Sequence, residues 1–239
     1  MEPVSPASDG RGVGSGARQM VEQSWVANAA AWTQAVREGR IASRRQGTDA
    51  AILDAVIACS PATVLDVGCG EGWLARALSA RGIEVTGIDS SPPLIERARE
   101  LGGGRFEVLS YDELVGSGET VRGPFDAIVC NFSLFSDELA PVLRALAGRL
   151  AVTGRLLVQT AHPGAADVDQ VAADGWRTED FSSFGLDFPA TMPWYFRTSA
   201  SWRGQLAMAG LSPIETREPP DPATGQPLSL LLVCQREEG

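Results

Sequence analysis

Val64-Leu65-Asp66-Val67-Gly68-Cys69-Gly70-Glu71-Gly72-Trp73-Leu74 decides how this chain folds. Val64 to Val67 form a short, mostly apolar run, the look of a strand covered on both faces. Three glycines at alternate positions then let the backbone turn sharply and approach a ligand with no side chain in the way. Trp73, Leu74 and Leu78 restart the apolar pattern at helical spacing, and Gly82 suits the helix C-terminus. A glycine turn between a buried strand and a helix N-terminus belongs to an α/β sheet and makes a nucleotide-type cofactor site.

Two cofactor classes compete for such a turn. The dinucleotide fingerprint is G-x-G-x-x-G, but here the third glycine falls one residue early and Trp73 takes its slot. A tryptophan there hinders close helix–strand packing. Asp66, two residues before the first glycine, sits poorly beside a pyrophosphate and well beside an ammonium group.

The same residues resemble motif I of the class I S-adenosylmethionine-dependent methyltransferases, D-x-G-x-G-x-G, with Asp66, Gly68, Gly70 and Gly72 at its fixed positions. The resemblance continues downstream. Val85-Thr86-Gly87-Ile88-Asp89-Ser90-Ser91 is similar to the family's second strand, Phe125 to Asn131 to its fourth, and Gly154 to Gln159 to its fifth. It implies a Rossmann-like, doubly wound sheet of seven strands, mostly parallel with a C-terminal antiparallel hairpin. Apolar spacing adds N-terminal helices to this fold, and a long aromatic segment adds a lid after the fifth strand. The implied cofactor is S-adenosyl-L-methionine, leaving as S-adenosyl-L-homocysteine. Asp89 is then the ribose ligand, accepting from vicinal hydroxyls. Asp66 orients the methionine amino group directly, or through backbone and water. Gly68, Cys69, Gly70, Ser90 and Asn131 complete the cofactor wall. Where the family has an adenine-binding acid after the third strand, this chain has Ser110-Tyr111, with Asp112 and Glu113 behind. Segment Arg217 to Leu230 resembles a bacterial subgroup of small-molecule methyltransferases.

A formal net charge of −10 over 239 residues, with scattered basic residues, argues against nucleic acid. Asn131-Phe132-Ser133-Leu134 keeps only the first residue of the N-P-P-Y tetrad of base-modifying relatives. Cys59, Cys69, Cys130 and Cys234 lie in apolar surroundings and imply neither disulfide nor metal. No signal peptide or membrane-length apolar run is visible, so a cytoplasmic protein, monomer or homodimer, with a small-molecule partner is expected.

Residues 1–17 are rich in Gly, Ser and Pro and read as a disordered tail. Residues 18–60 form a helical cap. Trp25, Ala29, Trp32 and Val36 stripe one helix, and Thr48 can cap a second. Residues 61–239 form the methyltransferase domain. Within it, Ser136 or Asp137 can cap the helix after the fourth strand, and about 161–197 reads as an aromatic, irregular substrate lid.

The candidate chemistry is methyl transfer to O or N of a small, aromatic or heterocyclic metabolite, in a biosynthetic role. His162, the chain's one histidine, follows the fifth strand and is the candidate general base, with an exposed turn residue as its bland alternative. Arg44 can pair with the methionine carboxylate or be a surface charge. Phe132 lines the transfer site, and Trp32, Trp194, Tyr195 and Phe196 form an aromatic box with Arg197 beside it. An NAD-dependent oxidoreductase and a non-catalytic S-adenosylmethionine-binding module stand as rivals.

Overall fold

The computed structural model describes residues 11–116, 120–164 and 173–237. The first ten residues of the expected tail, and 165–172 of the expected lid, lie outside the described residues.

Seven strands form the main sheet: β1 (Thr63–Val67), β2 (Glu84–Asp89), β3 (Arg105–Val108), β4 (Phe125–Asn131), β5 (Leu150–Ala161), β8 (Leu211–Arg217) and β9 (Ser229–Arg236). Their order is β3-β2-β1-β4-β5-β9-β8, parallel through β5, with β9 antiparallel to both β5 and β8. The chain leaves β1 toward β2 and β3, then returns to the other side with β4 and β5. The carboxyl ends of β1 and β4 therefore open a crevice, where such sheets bind ligands. Val67 pairs with Cys130 there, setting Gly68 across from Asn131.

Alternation along the strands builds one core on each face. Leu65, Ile128, Cys130, Leu156, Leu230 and Leu232 pack with α5 (Tyr111–Gly116), α6 (Ala140–Ala147) and α7 (Ser199–Met208). Val64, Ala127, Val129, Leu157, Leu231 and Val233 face the other way, onto α2 (Asp49–Ala58), α3 (Trp73–Ser79) and α4 (Pro92–Leu101). Apolar side chains on both sides of one strand are what a covered sheet requires.

Several local expectations are corrected. α1 runs Arg11–Arg37, so it takes in positions 11–17 that the composition gave to a tail. Thr48 does not cap α2, because a π-turn (Arg44–Thr48) leads straight into it and the Thr48 hydroxyl makes no capping bond. Neither Ser136 nor Asp137 caps α6. Gln205 of α7 reaches across instead, its Oε1 accepting from the backbone N–H of both Leu139 and Ala140 at 3.0 Å. The lid is more regular than its sequence suggests, since β6 (Gly175–Glu179) and β7 (Met192–Phe196) pair antiparallel as a separate hairpin.

Two attachments hold the lid. Tyr195 N–H donates to Phe135 O at 2.9 Å, and the buried Asn28 side chain of α1 pairs with the backbone of Ala190 in both directions, at 2.7 and 3.0 Å. Asn28→Ala leaves both Ala190 groups without a partner. It should cost about 2 kcal/mol in urea unfolding and speed proteolytic cleavage between Phe181 and Met192.

Candidate active site

The turn after β1 is held by its own backbone. Gly68 and Cys69 N–H both donate to Ile88 O, at 2.8 and 3.0 Å, and Gly70 N–H donates to Asp89 Oδ2 at 2.9 Å. Gly68 has φ +73°, and a Cβ there would stand 2.4 Å from Ser133 Cβ, so no other residue fits. Asp89, at the end of β2, also accepts from Ser91 N–H at 2.9 Å through Oδ1. Each oxygen thus keeps lone-pair capacity on a cavity-lining carboxylate. Burial raises its pKa, against the lowering by those two backbone bonds.

Asp66 behaves differently. It is 2 % exposed, is not part of the cavity wall, and its Oδ2 has no partner among the described residues. Burial, with Asp89 nearby, pushes its pKa up to about 7. It sits behind the glycine turn, off the cavity wall.

A cavity of about 410 Å³ runs from this turn to the lid. Its wall combines Gly68, Cys69, Gly70, Asp89, Ser90 and Tyr111 from the strand ends with the aromatic residues Trp25, Trp32, Phe135, Phe181, Phe184 and Trp194. Trp32 bridges the two groups, its Nε1 lying 3.7 Å from where a Cβ on Gly70 would stand. Trp25 and Trp32, two turns apart on α1, meet edge-to-face at 4.9 Å between centroids, and Phe181 closes on both. The lid thereby presses onto α1 by aromatic contacts of the favourable edge-on kind.

Of the expected box, Trp32 and Trp194 line the cavity, whereas Tyr195 and Phe196 do not. Tyr195 packs on Trp176 at 5.4 Å, and Phe196 is buried beneath the Arg177 guanidinium at 3.9 Å. β7 alternates its side chains, so Tyr195 turns away from the face of Trp194, whereas Phe196 shares that face and is covered by Arg177. Trp25 was within reach of the α1 stripe. Phe181 and Phe184 belong to the aromatic segment read as a lid, whereas Phe135, in the loop after β4, carried no local signal of a cavity.

Four further expectations change. His162 is not part of the cavity wall: its Nε2 lies 3.2 Å from Glu218 Oε1, and its Nδ1 accepts from Gly164 N–H at 3.0 Å. Arg197 is buried at the lid base, where its Nη2 donates to Ser136 O and its guanidinium lies 4.8 Å from the Tyr195 ring. Burial draws its pKa down to about 10. Ser110 lies off the cavity, its hydroxyl donating to Glu113 at 2.8 Å in a local cap, while Leu109, Tyr111 and Asp112 take the wall. Arg44 does line it, but its charge is paired with Asp49 at 2.9 Å and its guanidinium stacks 4.6 Å from the Trp73 ring. Asn131 and Phe132 line the cavity, and Tyr111 donates its hydroxyl to Ser133 O at 2.7 Å.

Among the described residues, no cluster of three or more His, Cys, Asp or Glu side chains is suited to a metal, and no helix is long and apolar enough to cross a membrane.

A doubly wound sheet, a glycine bend at its switch point and an acid ending the neighbouring strand define a nucleoside-binding α/β class. Residues 64–154 match the family profile described as a methyltransferase domain. A Stenotrophomonas maltophilia protein-L-isoaspartate O-methyltransferase is 34% identical over 134 residues, covering 53% of this chain and 55% of that protein. A Xylella fastidiosa ubiquinone biosynthesis O-methyltransferase is 38% identical over 109 residues, covering 43% of each. The chain thus spans about half the length of the curated relatives it matches. The crystal structure of the Synechocystis magnesium protoporphyrin IX methyltransferase superposes with a TM-score of 0.65 at 18% identity, over 92% of this chain and 99% of that one. Residues 64–154 thus carry a methyltransferase domain, in a chain whose fold is that of S-adenosylmethionine-dependent methyltransferases of known structure.

The buried Asp66 generates a pH dependence. A folded pKa of about 7 lies above the ordinary carboxyl value of 3.8, so the folded state holds a proton that the unfolded chain has lost. The resulting stability is complete below the unfolded pKa and lost as pH rises through 7. Urea unfolding from about pH 4 to about pH 8 should show wild type losing up to about 4 kcal/mol more than Asp66→Asn.

Proposed function

We propose that this protein transfers a methyl group from S-adenosyl-L-methionine to O or N of a small, flat, aromatic or heterocyclic acceptor. The observation that carries this reading is the single cavity joining the glycine turn and Asp89 to an aromatic lid.

The residues present fit the cofactor. Asp89 keeps acceptor capacity for a vicinal diol, the Gly68–Gly70 backbone leaves room for close approach, and Leu109 and Tyr111 offer an apolar wall for a purine. When bound, the sulfonium supplies a methyl group and a good leaving thioether. The chain's own task is to hold an acceptor atom in line with that methyl and to exclude water. Such alignment is worth up to about 7–11 kcal/mol in well-oriented systems. Phe132 and the Trp25–Trp32–Phe181 cluster supply the excluding surface.

Two rivals fit less well. A nicotinamide dinucleotide needs a small residue where Trp73 stands, and Trp73 is already stacked under Arg44. A non-catalytic binder would need the acceptor end plugged, whereas the cavity continues there to Trp194.

Thermal-shift titration should show stabilisation by S-adenosylmethionine and S-adenosylhomocysteine but not by NAD. Asp89→Ala should weaken that binding by about tenfold or more, through loss of two charge-assisted hydrogen bonds. His162→Gln should leave turnover unchanged, since the imidazole is held by Glu218 outside the cavity. A large loss in that variant would restore it as a base.

A further inference from the structure

The amide orientation of Asn131 is set from behind. Gln159 of β5 is 1 % exposed, and its Nε2 donates to Thr48 O at 3.0 Å and to Asn131 Oδ1 at 2.9 Å, while the Ser229 hydroxyl donates to Gln159 Oε1 at 3.5 Å. The Thr48 carbonyl can only accept, so the Gln159 nitrogen has to face it. The second N–H of that nitrogen then needs an acceptor, which fixes oxygen as the Asn131 atom turned inward. Nδ2 of the planar amide points the other way. Asn131 lines the cavity, and among the described residues its Nδ2 has no partner and is not one of the sealed polar atoms.

The neighbouring residues reinforce this arrangement. Phe132 has φ +49°, left-handed for a non-glycine residue, and its N–H is fixed on Gln159 O at 2.8 Å. Backbone held in such a conformation concentrates at ligand-binding positions. Ser133 also lines the cavity, with a buried hydroxyl that has no partner among the described residues. One β5 residue thus clamps the post-β4 segment through both its main chain and its side chain.

We propose that Asn131 determines the acceptor atom: its Nδ2–H donates to an oxygen of the acceptor, so the enzyme methylates acidic hydroxyls of flat aromatic molecules and discriminates against amines. This rests on the methyltransferase reading and narrows it. A neutral amine has one lone pair, so accepting from Nδ2–H leaves none to attack the methyl, and turning that pair to the methyl sets N–H against N–H. A hydroxyl that has given its proton to solvent can accept from Nδ2 and keep a lone pair free. That lone pair forms the new O–CH3 bond as the C–S pair passes to sulfur, leaving a neutral ether and a neutral thioether. Gln159 is the positioning residue, touching Asn131 and not the acceptor.

The test is calorimetric titration of a matched pair, 1-naphthol and 1-naphthylamine, into the protein saturated with S-adenosylhomocysteine. Wild type should bind the naphthol about tenfold more tightly, the value of one hydrogen bond made or lost. Asn131→Asp, which replaces the donor by an acceptor, should abolish or invert the preference. Gln159→Leu should erase it, since the Asn131 amide is then free to turn, while S-adenosylhomocysteine affinity stays within about twofold of wild type. Equal affinities in wild type, tighter binding of the amine, no binding of the naphthol, or a preference that survives both substitutions would overturn the proposal. Failure of wild type to take up S-adenosylhomocysteine would overturn the methyltransferase reading along with it.

Discussion

At Gly68 the backbone passes so close to Ser133 that a single added carbon would collide with it. The rest of the site depends on that close approach. It brings the end of β1 against the segment after β4, while the N–H groups of Gly68 and Cys69 bind Ile88 O and hold the same turn to β2. Three strand ends are thereby fixed to one another at the place where the sheet changes direction. Asp89 completes the arrangement by accepting from Gly70 on one oxygen and Ser91 on the other, which locks the carboxylate while leaving it open to the cavity. Behind it lies Asp66, buried with its Oδ2 unpartnered among the described residues, destabilising the folded state more as it ionises.

The roof is built by a different kind of force. α1 and the β6–β7 hairpin meet mainly through aromatic rings, with Asn28 fixing the register by copying a backbone pairing to Ala190. Edge-on ring contacts tolerate small slides, whereas a two-bond amide clamp does not. The aromatic wall of the cavity therefore has an adaptable surface on a fixed frame. Where that wall meets the cofactor turn, Gln159 sets Asn131 from the opposite side. The methyltransferase family match ends at residue 154, near the start of β5, so Gln159, Ser229 and the whole lid lie outside it. Asn28 and Trp32 precede it.

Local sequence located the glycine bend, Asp89, the strands and the final hairpin, because each is marked by a short-range signal: alternation, glycine spacing, a turn-rich loop. β6 and β7 escaped notice because their residues alternate weakly and their apolar faces are completed only by α1. His162 looked chemically placed, since position after β5 suggests the ligand edge. A glutamate from the loop after β8, fifty-six residues later, takes that imidazole away. Arg197 failed similarly, buried under Tyr195, and Arg44, which does line the cavity, has its charge already paired with Asp49. A charge's availability depends on neighbours that no local pattern encodes.

Sequence by itself determined the α/β class, the family's cofactor turn and the acid that ends β2, since these are fixed by backbone conformations that only glycine permits and by a two-residue burial period. Tertiary structure alone decided which aromatics line the cavity, which ionisable groups remain unpaired, and which way the Asn131 amide points. Those properties arise from side chains brought together from distant parts of the chain, where hydrogen-bond donors and acceptors must be matched simultaneously once water is excluded.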